Sequence, residues 1–357
     1  FYFCINVGSV ISYIVSPLLR VSARFGVTFI LPTILLTLAT LIVYSGKKKY
    51  IQQEPGRSPL ETLATVARSA MRVRKQRRAT TGSADDIDPD TLVKRHWMEA
   101  AGGQPGCGDQ DIQDTIAVWR MVSILATLPV FWTLYDQQGS AWTLQADSMN
   151  LHGIQPDQLG VLNPILVLCF IPVFEKYIYP KYNASSLGRR YPATPLRRMG
   201  LGMIVATFAF VLSALVQSTI DVNEPKTVSV LAMLPQILAI TVSEILVSIT
   251  GLEFVYSQAP LSMKSSCMSI FLVTTAIGDV FGGLLYTFLG CALGASALFL
   301  LCAVLMLCNA FIFHFVAKRF VPRKTASVVG GEEMDAQQDR GASNTYEAPS
   351  SDMNKGP

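Results

Sequence analysis

The chain has 357 residues, half of them hydrophobic and only 15% charged, with a mean hydropathy of +0.38. A soluble domain is about a quarter charged, so this composition excludes an ordinary water-soluble protein and points to one embedded in lipid. The net charge of +4 is too small for a nucleic-acid partner, and seven cysteines, all but Cys107 in apolar runs, form no disulfide framework and no metal spacing with the three histidines.

The first element, FYFCINVGSVISYIVSPLL, opens inside an apolar run with no initiator Met. It lacks the basic start and small-residue cleavage site of a signal peptide, and reads as the truncated start of a C-terminal piece. Apolar runs of bilayer length fall at 1–19, 27–45, 117–136, 159–179, 199–217, 230–256, 268–289 and 292–316. Basic clusters follow the second run (Lys47, Lys48, Lys49, then RVRKQRR), the fourth (Lys176 to Arg198) and the eighth (Lys318 to Lys324). Positive residues stay on the cytosolic side, so these three ends face the cytosol and the connections at 137–158 and 218–229 face out. Arg20 and Arg24, in the first connection, violate the scheme.

Between the second and third runs, SPLE (58–61) offers an N-cap serine, a proline at the first helical position and a capping glutamate. Leu60, Leu63, Ala64, Ala67 and Met71 share one face, flanked by Arg68, Arg72 and Lys75. That pattern suits a cytosolic helix lying along the membrane surface, or a partly helical solvated linker. DDIDPD (85–90) fails as a calcium loop, because Thr91 and Trp97 stand where glycine and glutamate are required. The layout is all-α and polytopic: 1–45 closes a first bundle, 46–116 is a cytosolic linker, 117–317 is a six-helix bundle, and 318–357 is a disordered cytosolic tail.

An ionisable group at mid-membrane costs about 2.5–3.5 kcal/mol on insertion scales, so each one is a functional candidate. The runs hold Arg120, Asp136, Glu175, Glu244, Glu253 and Asp279, with Asn6 and Asn163 as uncharged companions. Arg120 and Glu175 lie at matching depths on consecutive antiparallel runs, which allows either an ion pair or two side chains snorkelling to headgroups. Glu253 stands near a helix end where solvation suffices, and Asp279 sits beside a small-xxx-small pair; neither is given a role. Glu244 is mid-run and has no packing reason to exist, so it suits a ligand ammonium. Asp136 with Gln138, and Trp132 with Tyr135, suit a cavity wall that is part polar and part apolar. No nucleophile–base pair or metal cluster appears in the runs, so an enzyme is not expected.

Four stretches are more specific: FYFCINVGS (1–9), PVFWTLYDQQGSAWTLQA (129–146), IQPDQLGVLNPILV (154–167) and TGLEFVYSQAPLSMKS (250–265). In this order they resemble the proton-dependent oligopeptide transporters of the major facilitator superfamily, with animal-type di- and tripeptide carrier motifs. The resemblance implies twelve helices in two bundles, of which eight are present here, rocking about a central site. It implies a monomeric plasma-membrane carrier of di- and tripeptides in the lipid bilayer, with no cofactor beyond the proton as coupling ion. One charge crossing 100 mV releases about 2.3 kcal/mol, enough for roughly 40-fold accumulation of a neutral peptide.

Position by position, the resemblance makes Tyr2, Asn6, Trp132, Tyr135, Gln138, Asn163 and Glu244 substrate-binding, with Glu244 receiving the peptide's amino terminus. It makes Asp136 a gating acid, and Arg120 and Glu175 a coupling ion pair, with glutamate where aspartate is expected. Ala141 replaces a usual arginine, Phe271 a tryptophan, and the connection at 218–229 is too short for a large extracellular domain. Sister branches carry other small solutes such as nitrate. A non-transporting peptide receptor would share the cavity without flux.

Overall fold

The computed structural model describes residues 2–22, 25–50, 58–80, 96–290 and 292–322. The DDIDPD stretch, Arg24 and the tail beyond 322 lie outside the described residues. The described chain folds into eight helical spans, numbered here in order: Tyr2–Ser22, Phe25–Ser45, Asp109–Asp147, Pro156–Ala184, Pro195–Val222, Val230–Gln258, Leu261–Leu289 and Ala295–Arg319. Each is long and apolar enough to cross a bilayer, and the protein is an all-α, multi-pass integral membrane protein. The third span opens at Asp109, well before the apolar run at 117, because its first turns leave the apolar bundle and join the linker.

Three spans are broken, and the breaks position the site. The third runs as helix Asp109–Leu125, helix Leu128–Tyr135, a 3-10 turn Asp136–Gly139, then helix Ala141–Asp147. The fourth carries a π turn at Phe174–Ile178, and the sixth carries one at Ile245–Ile249, directly after Glu244. A π turn inserts an extra residue and rotates the side chains on either side of it relative to each other.

One core runs through the third, fifth, sixth, seventh and eighth spans, built from buried side chains such as Phe131, Leu134, Phe210, Met203, Met306 and Phe313. Two close approaches set its crossings. At Gly278, an added Cβ would stand 2.6 Å from Trp132 Cβ and 2.7 Å from the Pro129 carbonyl, so only glycine lets the third and seventh spans touch. Thr133 Oγ1 donates to the Gly278 carbonyl there at 2.8 Å. At Gly202, Ser243 Oγ of the sixth span donates to the fifth-span carbonyl at 2.7 Å. Three buried glutamines tie further spans together: Gln145 Nε2 donates to Gln217 Oε1 at 3.1 Å, and Gln236 Nε2 to Gln145 Oε1 at 3.0 Å.

The linker helix, Pro59–Thr80, makes a second, smaller core, while its Leu63 packs against the large one. Thr62, Val66 and Ala70 are buried, and the two apolar ones pack with Met98, Ala101, Cys107, Ile112 and Ile116. The face carrying the larger apolar residues stays exposed, with Leu60 at 69% and Met71 at 54%. Small residues a turn apart allow the closer approach, so packing selects them over the bulkier stripe.

Candidate functional site

A cavity of about 530 Å³ opens between the first span and the third, fourth, sixth and seventh. Six of the residues singled out by the sequence line it together with Asp136: Asn6, Trp132, Tyr135, Gln138, Asn163 and Glu244. Each is brought there by a local feature. Asn6 is 5% exposed on the inward face of the first span, and Ser9 and Tyr13 follow on the same helical stripe. Tyr2 heads the same helix, and its side chain lies outside the described residues.

Trp132 is fixed by its indole, which donates to Thr274 Oγ1 of the seventh span at 3.1 Å. Tyr135 and Phe271 meet it edge-on, with ring centroids 5.7 and 6.2 Å away. The helix then stops. Asp136 and Gln138 sit in the 3-10 turn, and Gln138 Nε2 donates back to the Tyr135 carbonyl at 3.2 Å. Asn163 stands in the first turn of the helix Leu162–Val173, and its Nδ2 donates to Thr241 Oγ1 of the sixth span at 3.3 Å. Glu244 ends the helix Leu234–Glu244 at the threshold of the π turn and is 4% exposed. The wall therefore offers aromatic faces, three amides and the buried carboxyl group of Glu244 in one volume, a lining suited to a small zwitterion.

Arg120 and Glu175 are not brought together. Arg120 lines a cleft with Ser123, Phe315 and Arg319, whereas Glu175 lines a different one with Tyr179, Arg198 and Glu253. The helix Asp109–Leu125 packs on the linker and on the sixth, seventh and eighth spans, and Glu175 lies inside the fourth span's π turn. Equal depth on neighbouring spans does not make two side chains face one another. Near Glu175, Arg198 instead stacks 3.9 Å over the Tyr179 ring, with Nη1 3.8 Å from Glu253 Oε2.

Sequence reasoning passed over three contacts at the other end of the cavity. Arg20 Nη2 lies 3.0 Å from Asp157 Oδ2, joining the first span to the turn that begins the fourth. Tyr13 packs its ring against Gly160, where a Cβ would run into it. The backbone of Asn150 pairs with Val228 and Val230 at 2.8 and 3.0 Å, stitching the two connections there. The exceptional charge of Arg20 was the available signal, since a cation out of place needs an anion nearby.

A model of the POT family matches residues 1–298. Among curated proteins, the chain is 31% identical over 294 residues to "Peptide transporter PTR2" of Saccharomyces cerevisiae, covering 79% of this chain and 45% of that protein. It is 33% identical over 264 residues to "Solute carrier family 15 member 2" of Homo sapiens, covering 71% of this chain and 34% of that one. The chain thus spans less than half the length of these relatives. A crystal structure of an auto-inhibited POT family peptide transporter aligns with a TM-score of 0.70 at 26% identity, covering 92% of this chain and 71% of that one. An in meso crystal structure of another POT family transporter aligns equally well, at 0.70, over 90% of this chain and 70% of that one; at 24% identity it speaks to the fold.

Proposed function

The chain belongs to the POT family, and from that premise we propose that it forms the peptide-holding and C-terminal part of a proton-coupled di- and tripeptide carrier. One observation carries the reading: a single cavity of about 530 Å³ gathers Asn6, Trp132, Tyr135, Gln138, Asn163 and Glu244 from four spans. That volume suits a peptide of two or three residues. Glu244 receives the peptide's ammonium by a charge-assisted hydrogen bond. Asn6 and Asn163 each supply a donor and an acceptor for its backbone, and Tyr2, at the head of the same helix as Asn6, joins them in substrate binding. Trp132 and Tyr135, with Phe271, bound the space for side chains.

The end of the molecule carrying the basic clusters faces the cytosol, and the Arg20–Asp157 end faces out. That pair, with Tyr13 seated on Gly160, clasps the first span to the fourth at the outer mouth. Opening and closing it in alternation moves the peptide, driven by a proton that enters with it. Asp136 belongs to the proton and gating machinery. Arg120 and Glu175 act in that machinery from separate clefts at the cytosolic end, each meeting its own neighbours as the bundles rock. The exposed Leu60–Met71 face of the linker helix rests on the cytosolic leaflet of the plasma membrane, with Arg68 and Arg72 at the headgroups. The carrier works as a monomer and needs no cofactor other than the proton.

The test is uptake of a labelled dipeptide by the full-length protein in liposomes, with acid outside and a negative interior. Accumulation that a proton ionophore abolishes is expected. Peptide binding without accumulation would replace the carrier with a receptor.

A further inference from the structure

Two arginines share one cleft at the basic end of the molecule. It measures about 270 Å³ and lies between the third and eighth spans, with Arg120 and Ser123 on one side and Phe315 and Arg319 on the other. Arg120 follows closely on the start of the apolar run at 117, and Arg319 closes the helix Ala295–Arg319 just past the run that ends at 316. Both residues therefore stand where hydrocarbon gives way to headgroups, a depth that the exposed Trp119 beside Arg120 marks as well. Two like charges in one cleft call for an anion. Among the described residues the ion pairs belong to Arg20 and Arg198, and the cation–ring contacts to Arg190, Arg197, Arg198 and Lys264. Ser123 Oγ is spent on the Trp119 carbonyl, to which it donates at 3.1 Å.

The other half of the cleft is apolar. Phe311, Phe315 and Arg319 follow one another at four-residue intervals, so they form one stripe along the eighth span. All three are exposed, and Val304 and Leu307 continue the exposed apolar surface deeper into the span. Cations at headgroup depth above a run of exposed apolar side chains match an amphiphile with an anionic head and a hydrocarbon tail. A soluble phosphate would use the arginines and leave the stripe idle. We propose that the Arg120–Arg319 cleft binds the phosphate head of an anionic phospholipid, whose acyl chain lies along the Phe311–Phe315 stripe. A guanidinium is a planar fork that takes two phosphate oxygens, so one phosphate held by both arginines joins the ends of the third and eighth spans. Basic pockets between spans on the cytosolic side hold anionic headgroups in this way. The leaflet is the cytosolic one on the orientation proposed above, while the binding itself holds in either orientation.

Native mass spectrometry of the full-length protein in detergent, titrated with dioleoyl phosphatidic acid or dioleoyl phosphatidylcholine, gives the test. Phosphatidic acid should bind about tenfold more tightly than phosphatidylcholine. Arg319→Gln changes an exposed helix end, where folding is least affected, and should weaken phosphatidic acid about tenfold, as should Arg120→Gln. Arg319→Lys keeps the charge without the fork and should fall between. Lys318→Gln removes a neighbouring charge that does not line the cleft, and should leave the affinity unchanged. Equal binding of the two lipids, or a loss in Lys318→Gln as large as in Arg319→Gln, overturns the site in favour of diffuse charge attraction. Glycerol 3-phosphate and inorganic phosphate should not displace the bound lipid; displacement by either would overturn the lipid as its occupant. A protein that binds phosphatidic acid in this pattern yet accumulates no dipeptide in liposomes keeps the site and loses the carrier.

Discussion

Single side chains decide both substrate chemistry and packing here. Glu244 is 4% exposed and lines the cavity, where the proposed function has it receive a peptide ammonium. Glu244→Gln keeps the shape and removes the charge, so binding of dipeptides with a free amino terminus should weaken about tenfold. N-acetylated dipeptides, measured by calorimetry alongside, should bind as before; equal losses would remove Glu244 from that role. Gly278 and Gly283 form a signed pair on one helix. A methyl group at Gly278 strikes Trp132 Cβ and the Pro129 carbonyl, whereas at Gly283 it meets nothing within 4 Å. Gly278→Ala should therefore cost about 1–3 kcal/mol of stability, and Gly283→Ala should gain up to about 1. Melting curves of the detergent-solubilised protein read both signs. Glu244, Asn6 and Asn163 were legible in the sequence because polar atoms in an apolar run need a purpose. Arg120 and Glu175 stand in separate clefts, because spacing along a span gives depth but not the direction a side chain faces.

At the scale of elements, the eight spans were readable from their apolar runs, but their breaks were not. Ile245–Ile249 reads ILVSI, with neither glycine nor proline to announce a π turn. The linker helix was readable too, through Ser58, Pro59 and Glu61, yet the face it buries is the smaller Thr62–Val66–Ala70 stripe. Val66→Asp should detach this helix by placing an unpaired carboxylate in its core. Protease cleavage between 58 and 109 should accelerate, and the melting of the membrane bundle should fall by much less, since this helix reaches the larger core through Leu63. His96 adds a pH dependence to the same small core. Burial, then the Arg120 guanidinium, hold its imidazole below the ordinary value of 6.5, against a weaker pull from Glu99. The folded state thus prefers neutral His96, whose Nδ1 accepts from the Met98 amide at 3.4 Å. This contribution is complete above pH 6.5 and is lost as the pH falls through the lower folded value. Linker cleavage should rise on acidification, and His96→Gln should flatten that rise.

At the scale of the whole molecule, the first span meets the fourth across the cavity, through Arg20 with Asp157 and Tyr13 on Gly160. Asp157→Lys sets two cations face to face, and Gly160→Val wedges the Tyr13 ring away. Either should expose a cysteine placed at Ser9, which lines the cavity, to an impermeant maleimide added outside, in a carrier with Cys4 replaced by serine. Labelling several times faster than in the parent is expected. Unchanged labelling of both variants would show that these contacts do not hold the mouth shut. The clasp has one more property. Its two side chains keep 39% and 33% of their surface open to the surroundings, so dissolved ions reach them and weaken their attraction. In a carrier of the proposed kind, stronger salt on the side of this clasp should loosen it and quicken the opening of that mouth, while the same salt on the far side should leave the step alone.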